Sequence, residues 1–300
     1  MSSEQYVFIV GLPRTGTSLT RAILNASPQI TIGGESKFLP NPAERGRGHR
    51  RSYRDKFRRA GDLRTDEGIA RIASEIYSQT ERSYWSRLAE SLDRSDFETR
   101  LRSSDRSERA LLKVAIDHFA NDRPIRGDKT PQHIHWVSLL CEWFPGARII
   151  HTFRDPRAIH VSLQRKAARG RGSVLRWPVD RLPVLDLYSA TSLILRWRRV
   201  IALHREYEAR YPDRYMLLRF EDLITEPRPS VERLCSHVGV PFSEGMLDQV
   251  VLNSSFVSRG SSTGFDEAVL ERLRKHISPI TMRWFAAVCG RELQAFGYAP

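Results

Sequence analysis

A glycine-flanked loop near the start of the chain narrows the choice of folds more than any other segment. The loop covers residues 11–18. Before it, residues 6–10 are β-branched or aromatic and predict a buried strand. After it, residues 17–26 have the apolar spacing of a helix, and the short run 30–32 predicts a second strand. A strand, a helix and a strand in this order predict a βαβ unit and hence an α/β fold with a parallel sheet.

The loop has the spacing of a phosphate-binding loop, Gly-x-x-x-x-Gly-x-Ser. Between a strand and a helix, such a loop directs backbone N–H groups and the positive end of the helix towards an anion; the alternative is an ordinary tight turn. A nucleoside triphosphatase would carry lysine before Ser18, where this chain has Thr17. The cation within the loop is Arg14. As the ligand of this loop, a single phosphate that carries a transferable group is therefore expected in preference to a magnesium-bound triphosphate.

The rest of the chain divides into a helical insertion and a returning α/β pattern. Residues 38–125 are polar and arginine-rich and show no convincing strand, which predicts an insertion outside the sheet. The α/β pattern resumes after Asp128, with strands predicted at 147–153 and 215–219. Since no linker or internal repeat is visible, we expect one domain over residues 1–300, with helices on both faces of the sheet. Helices are predicted at 67–80, 83–94, 107–120, 132–143, 156–166, 187–210, 229–238 and 279–295.

Five segments, in this order, resemble motifs of the sulfotransferases that use 3′-phosphoadenosine 5′-phosphosulfate (PAPS). The resemblance runs from residue 6 to about residue 242 and is weak within 38–125. It implies a P-loop-like sulfotransferase fold and an enzyme that transfers the sulfuryl group of PAPS to an acceptor hydroxyl, releasing 3′-phosphoadenosine 5′-phosphate. One departure is Gly34, which stands where the Gly-Glu-Glu element of tyrosylprotein sulfotransferases has its first glutamate. The segments are Pro13-Arg14-Thr15-Gly16-Thr17-Ser18, Gly34-Glu35-Ser36-Lys37, Lys129-Thr130-Pro131, Arg154-Asp155-Pro156-Arg157-Ala158 through Ser162, and Phe220-Glu221-Asp222-Leu223 with Pro227.

The same resemblance implies roles for individual residues. Glu35 would be the general base that deprotonates the acceptor, with His160 and Asp117 as the alternatives. Arg259 lies in the Ser/Gly-rich segment 258–264. This segment is expected to be either a loop that closes over the donor's 3′-phosphate or a plain flexible loop. The implied catalytic residues are Glu35, Lys129 and Arg14, and the implied donor-binding residues are Arg14, Thr15, Gly16, Thr17, Ser18, Arg154, Ser162 and Arg259.

The charge balance predicts an anionic partner. The chain of 300 residues has a net charge of +13. The alternative is a compositional bias towards arginine. The densest basic run, at residues 45–59, indicates either a groove for an acidic peptide or anionic glycan, or a solvated face. No helix-turn-helix, RNP or zinc pattern occurs, so nucleic acid is not an expected partner.

The remaining expectations concern the acceptor, metal and location. The acceptor stays open between a peptide tyrosine, a glycan and a small molecule, with the insertion at 38–125 expected to shape its site. No cluster of metal-ligand residues has suitable spacing, so no metal is expected. No apolar run is long enough to span a membrane. Together with three widely spaced cysteines and an N-terminus without a basic segment, this predicts a cytoplasmic enzyme. The sequence allows a homodimer but leaves the oligomeric state open.

Overall fold

The sheet has five parallel strands, and in chain order the second, third, first, fourth and fifth lie side by side. The computed structural model describes residues 4–42, 52–170, 183–249, 265, 270 and 276–299. The predicted α/β class, with a parallel sheet, is confirmed. The strands are β1 (Gln5–Gly11), β2 (Ile30–Ile32), β3 (Ile125–Lys129), β4 (Arg148–Phe153) and β5 (Tyr215–Arg219).

Strand β3 corrects the prediction that the α/β pattern resumes only after Asp128. It lies between β2 and β1, with Lys129 in register with Ile9. Its sequence lacks an apolar run for a physical reason. A Cβ on Gly127 would come 2.0 Å from the carbonyl oxygen of Val7, so this position must be glycine, and the last two residues are a carboxylate and an ammonium. The strand is therefore invisible to a search for hydrophobic periodicity.

Helices cover both faces of the sheet, as predicted. Alternate residues of β1 point to opposite sides: Phe8 and Val10 join the apolar cluster of the insertion, whereas Val7 and Ile9 join the cluster around the helices Thr17–Asn25 and Pro227–Val238. The helices are α1 (Thr17–Asn25), α2 (Tyr53–Ala60), α3 (Asp66–Tyr77), α4 (Tyr84–Ser91), α5 (Arg94–Arg102), α6 (Glu108–Ala120), α7 (Val137–Trp143), α8 (Pro156–Gly170), α9 (Pro183–Arg210), α10 (Phe220–Thr225), α11 (Pro227–Val238) and α12 (Pro279–Ala295).

Within the insertion, α3, α4 and α6 were predicted, and α2 and α5 are additions. Each of the five helices begins at a serine, threonine or aspartate whose side chain accepts a hydrogen bond from a backbone N–H of the first turn, which stabilises the helix start. These capping residues are Ser52, Thr65, Ser83, Asp93 and Ser107. Across the described part of the chain, no helix combines the length and the apolar character needed to cross a membrane.

Candidate active site

The phosphate-loop segment connects β1 to α1 through two glycines with positive φ. Gly11 has φ 144° and Gly16 has φ 94°, a backbone region that disfavours other residues. A Cβ on Gly11 would lie 2.4 Å from the carbonyl oxygen of Thr152, and one on Gly16 would lie 2.5 Å from the ring of Phe220. The glycines thus let the loop pack directly on β4 and on the start of α10.

The loop leaves the first N–H groups of α1 without a side-chain cap. Gly16 is the N-cap residue and has no side chain to accept from them. The Thr15 hydroxyl is occupied within the fold, since it donates to the carbonyl of Leu12 at 2.7 Å and contacts the hydroxyl of Thr152 at 2.7 Å. Thr15 can therefore offer an anion its backbone N–H but not its hydroxyl. Ser18, in contrast, is exposed at the first turn. This arrangement suits an anion at the helix start.

Arg14 joins the loop to α8. Its Nε donates to Ser162 Oγ at 2.8 Å, and its carbonyl accepts from Arg154 Nη1 at 3.2 Å. Ser162 itself is fully buried. Three residues from two separate motifs of the sequence thus form one connected group, although Ser162 presents its oxygen to Arg14 and not to solvent.

Arg154 is a buried guanidinium at the carboxyl end of β4. Only 4% of the residue is exposed, and the guanidinium lies over the Phe220 ring at 4.0 Å. Burial lowers its pKa to about 10, against the opposing influence of Glu221. Its Nε is buried without a hydrogen-bond partner among the described residues. A buried donor without an acceptor is costly, so this N–H is positioned to receive an anionic ligand.

A buried carboxylate accompanies this guanidinium. Glu221, the glutamate of the Phe-Glu-Asp-Leu segment, accepts from the backbone N–H of Asp155 at 3.1 Å and from the Tyr298 hydroxyl at 3.0 Å. Burial raises its pKa. Asp155 in turn pairs with Arg157 at 2.7 Å. The end of β4 is therefore held by a network of polar and charged groups that links α10 and Tyr298 to the site.

Glu35 and Lys129 meet at the carboxyl edge of the sheet. Lys129 Nζ donates to Glu35 Oε1 at 2.9 Å, and Lys37 Nζ lies 3.6 Å from Glu35 Oε2. Lys129 is buried, whereas about a third of the Glu35 side chain is exposed. The sequence separates the two residues by 94 positions, and β2 and β3 bring them together because their carboxyl ends are adjacent. A partly exposed carboxylate next to an ammonium can exchange a proton with an incoming hydroxyl.

A buried acid positions the segment that carries Glu35. Asp128 Oδ1 accepts from the backbone N–H of Ser36 at 3.1 Å, and His133 Nε2 accepts from the N–H of Leu39 at 3.2 Å. His133 Nδ1 lies 3.1 Å from Asp128 Oδ2, a contact whose angles fall short of a hydrogen bond. Neither Asp128 nor His133 is among the site residues predicted from the sequence. The available signal was their position on either side of the Lys-Thr-Pro motif.

The two alternative bases have other surroundings. Asp117 accepts from the Tyr6 hydroxyl at 2.8 Å and pairs with Arg126 at 3.1 Å, near the amino ends of β1 and β3 and so at the opposite edge of the sheet from Glu35. His160 is buried, and its Nε2 contacts Asp186 Oδ1 at 2.8 Å, linking α8 to α9. Neither side chain is therefore placed to act as a base at the edge of the sheet where Glu35 lies.

Part of the basic run at 45–59 is engaged within the insertion. Arg54 Nη2 pairs with Glu108 at 2.7 Å, Arg58 pairs with the same carboxylate, and Lys56 pairs with Glu75 at 2.7 Å. Residues 45–51 of the run and the predicted Arg259 with its segment 258–264 lie outside the described residues. Among the described residues, no group of three or more His, Cys, Asp or Glu could hold a metal ion.

The fold and the site define the class of protein. The sequence model of the sulfotransferase family matches residues 6–244, so the chain belongs to the sulfotransferase family. It is an enzyme that transfers a sulfuryl group to an acceptor hydroxyl. The resemblance read from the five motifs is therefore confirmed.

Relatives in animals are named protein-tyrosine sulfotransferases. This chain is 23% identical over 304 residues to protein-tyrosine sulfotransferase 1 of Danio rerio, covering 98% of this chain and 72% of that protein. It is 24% identical over 306 residues to the protein-tyrosine sulfotransferase of Drosophila melanogaster, covering 98% of this chain but only 52% of the relative. The chain thus spans between half and three quarters of the length of these two relatives.

Solved structures confirm the sulfotransferase fold. The sulfotransferase domain of the Synechococcus PCC 7002 olefin synthase superposes with a TM-score of 0.57 at 18% identity, covering 99% of this chain and 95% of that one. The sulfotransferase domain from the curacin biosynthetic pathway superposes with a TM-score of 0.55 at 17% identity, covering 98% of each chain.

The relatives contradict the predicted cytoplasmic location. Proteins named protein-tyrosine sulfotransferases are Golgi membrane enzymes. The prediction was wrong because it depended on what the sequence lacks, and such features do not report where an enzyme works.

Proposed function

We propose that this enzyme uses PAPS as its sulfuryl donor and the phenolic hydroxyl of a polypeptide tyrosine as its acceptor. The observation that carries the proposal is the contact of 2.9 Å between Lys129 Nζ and Glu35 Oε1 beside the phosphate-loop segment. A carboxylate base, an ammonium and an anion-binding loop at one sheet edge are the groups that sulfuryl transfer to a hydroxyl requires. The tyrosine acceptor is inferred from the names of the animal relatives.

The residues present fit such a donor. The uncapped start of α1, with Gly16 to Ser18, suits the 5′-phosphosulfate. The buried and unpartnered Nε of Arg154 suits the 3′-phosphate, with Ser162 behind it. Arg14 lies between these two groups and bonds to both Arg154 and Ser162. PAPS would supply a sulfuryl group on a phosphate leaving group, whose bond breaks as the acceptor oxygen attacks sulfur.

The chemistry assigned to this chain is proton transfer and charge placement. Glu35 takes the proton of the acceptor hydroxyl, which its exposed position allows. Lys129, already 2.9 Å from Glu35, holds the carboxylate in place and brings positive charge to the same edge. Asp128 and His133 keep the Glu35 segment against β3. Most of the rate enhancement then comes from positioning and electrostatics.

Replacement of Glu35 tests this proposal. Glu35→Gln keeps the shape and removes the basicity, so turnover of a tyrosine peptide with PAPS should fall by about 10²–10⁴-fold. The product is measured by mass spectrometry as an added sulfuryl group, and binding of 3′-phosphoadenosine 5′-phosphate by calorimetry should stay nearly unchanged. Glu90→Gln, at an exposed position of α4, is the matched control.

Two outcomes would contradict the proposal. If Glu35→Gln retained more than a tenth of wild-type turnover, Glu35 would not be the base. If the wild-type enzyme sulfated a sugar hydroxyl or a small phenol but no tyrosine peptide, the acceptor assignment would be wrong while the donor assignment stood.

A further inference from the structure

The large apolar side chains that are exposed in the described part of the chain all lie on two helices, α9 and α12. Each of these residues is between 38% and 75% exposed. Soluble proteins rarely leave many large apolar side chains in water on one surface, so this set calls for a partner. We call it the apolar face, and its members are Val184, Leu185, Tyr188, Leu195, Ile280 and Trp284.

The apolar face is one continuous surface. Trp284 Nε1 donates to Thr191 Oγ1 at 2.9 Å, which joins α12 to the middle of the exposed side of α9. Val184, Tyr188 and Leu195 are four and seven residues apart, so they share one side of α9. The side chains of the two helices therefore present a single apolar surface to the solvent.

The charge around the apolar face is positive. Asp186 is the single acid in residues 183–205 of α9 and 279–291 of α12, whereas α9 carries four arginines there and α12 two. Asp186 is engaged within the fold, since it accepts from the Thr281 hydroxyl and contacts His160 Nε2 at 2.8 Å. Among the described residues, no carboxylate pairs with the exposed arginines of this region, which are Arg196, Arg199, Arg283 and Arg291.

The shape and charge of this surface favour a lipid bilayer as the partner. Val184 and Tyr188 are 75% and 74% exposed and project from α9. Apolar side chains that project between arginines can enter the membrane interface while the guanidinium groups bind anionic headgroups. Tryptophan and tyrosine, both present here, favour this interface. A second copy of the chain would place arginines opposite arginines, which opposes pairing through this face.

We propose that the apolar face docks the enzyme onto a membrane surface that contains anionic lipids. The inference goes beyond the proposed function, since it does not depend on the donor or the acceptor. Asp186 links this face to the site, because it contacts His160 of α8, and α8 begins at the carboxyl end of β4 next to Arg154. Docking therefore holds the edge of the sheet that carries the site near the lipid surface.

Vesicle binding by the full chain tests the proposal. The enzyme should co-sediment with phosphatidylcholine vesicles that contain about 30% phosphatidylserine, and bind pure phosphatidylcholine at least about tenfold more weakly. The double variant Tyr188→Ser/Leu195→Ser removes apolar area, and Arg196→Glu/Arg283→Glu reverses charge beside it. Each double variant should weaken binding to the anionic vesicles by about tenfold or more.

The matched control is Arg59→Glu/Arg100→Glu. It changes the net charge by the same amount at exposed positions of α2 and α5. Because charges away from the membrane contact are screened by salt, this variant should bind within about threefold of the wild type. Circular dichroism and thermal unfolding without vesicles check that every variant is folded.

Four outcomes would overturn the docking face. Unchanged binding in both double variants would remove the assignment, and an equal loss in the matched control would show that binding follows total charge. If the wild type bound no vesicles but formed a dimer that Tyr188→Ser/Leu195→Ser dissociated, the face would belong to a second copy. If the wild type bound no vesicles and that variant only lowered the Tm, the face would serve contacts within the chain.

Discussion

At the scale of single residues, Arg154 combines deep burial with a donor that has no partner among the described residues. It is enclosed by Phe220 and by the backbone of the phosphate-loop segment, and burial has lowered its pKa to about 10. Glu221 nearby stabilises its charge only in part. A guanidinium is rarely buried in this way unless it binds an anion, which is why its replacement is informative.

We expect Arg154→Ala to weaken binding of 3′-phosphoadenosine 5′-phosphate by roughly 2–5 kcal/mol, the usual effect of removing one partner of a desolvated charge pair. Binding of 5′-AMP, which lacks the 3′-phosphate, should hardly change. Calorimetry with both ligands measures the difference, and Arg100→Ala serves as the surface control. Equal losses for the two ligands would show that Arg154 has a structural role.

At the scale of helices, Glu108 joins α6 to α2. It lies at the start of α6 and accepts from Arg54 at 2.8 Å and from Arg58. Burial raises its pKa, but the hydrogen bonds and charges of the two arginines outweigh burial and hold the pKa below the ordinary value. The charged carboxylate therefore stabilises the packing of the insertion.

The stabilisation by Glu108 should depend on pH in a defined direction. Because its pKa is lowered on folding, its contribution is complete above the unfolded-state pKa of about 4.3 and is lost as the pH falls through the lower folded-state value. Glu108→Gln should cost about 1–3 kcal/mol of unfolding free energy at pH 7. In urea unfolding, this difference from wild type should shrink between pH 7 and pH 3.5. A difference independent of pH would mean that packing and not charge is responsible.

At the scale of the whole molecule, the net charge of +13 gives long-range attraction to anions of many kinds, whereas the site selects among them by contact. The phosphate-loop segment, Arg154 and Glu35 follow the carboxyl ends of β1, β4 and β2 of the same parallel sheet. Ligands bind at this edge in open α/β sheets. Affinity for the donor should therefore depend on the site and not on the total charge.

Thermal unfolding with different ligands tests this selectivity. 3′-Phosphoadenosine 5′-phosphate at a hundredfold excess over its Kd should stabilise the enzyme by about 2.7 kcal/mol. The increase in Tm should be the same with EDTA, because we expect no metal in the reaction. ATP with Mg²⁺ and duplex DNA should give smaller shifts. A larger shift with ATP–Mg²⁺, or a Mg²⁺ requirement for transfer, would support a kinase-like reading instead.

The sequence by itself determined the helices and strands whose apolar pattern is visible within a single segment of the chain. The β1–loop–α1–β2 unit, the strong strand β4 and the helices α3, α4, α6, α9 and α12 have clear periodicity, and their prediction was correct. The phosphate-loop segment was also readable, since its glycines serve contacts within a few residues and with adjacent strands. The helix α2 was not, because charged residues dominate it and leave little apolar signal.

The tertiary structure alone decided which distant residues meet. Strand β3 could not be recognised from its sequence, because its residues do not form an apolar pattern. Gly127 is required by the close backbone of β1, and Asp128 and Lys129 contact groups of the site instead of an apolar core. The contact of Lys129 with Glu35, the support of the Glu35 segment by Asp128 and His133, and the approach of Arg87 to Gly34 all join segments that are far apart in the chain. Periodicity reports which face of an element is buried, but not which element lies opposite. Strand order and helix packing supply that information, and they exist only in the folded molecule.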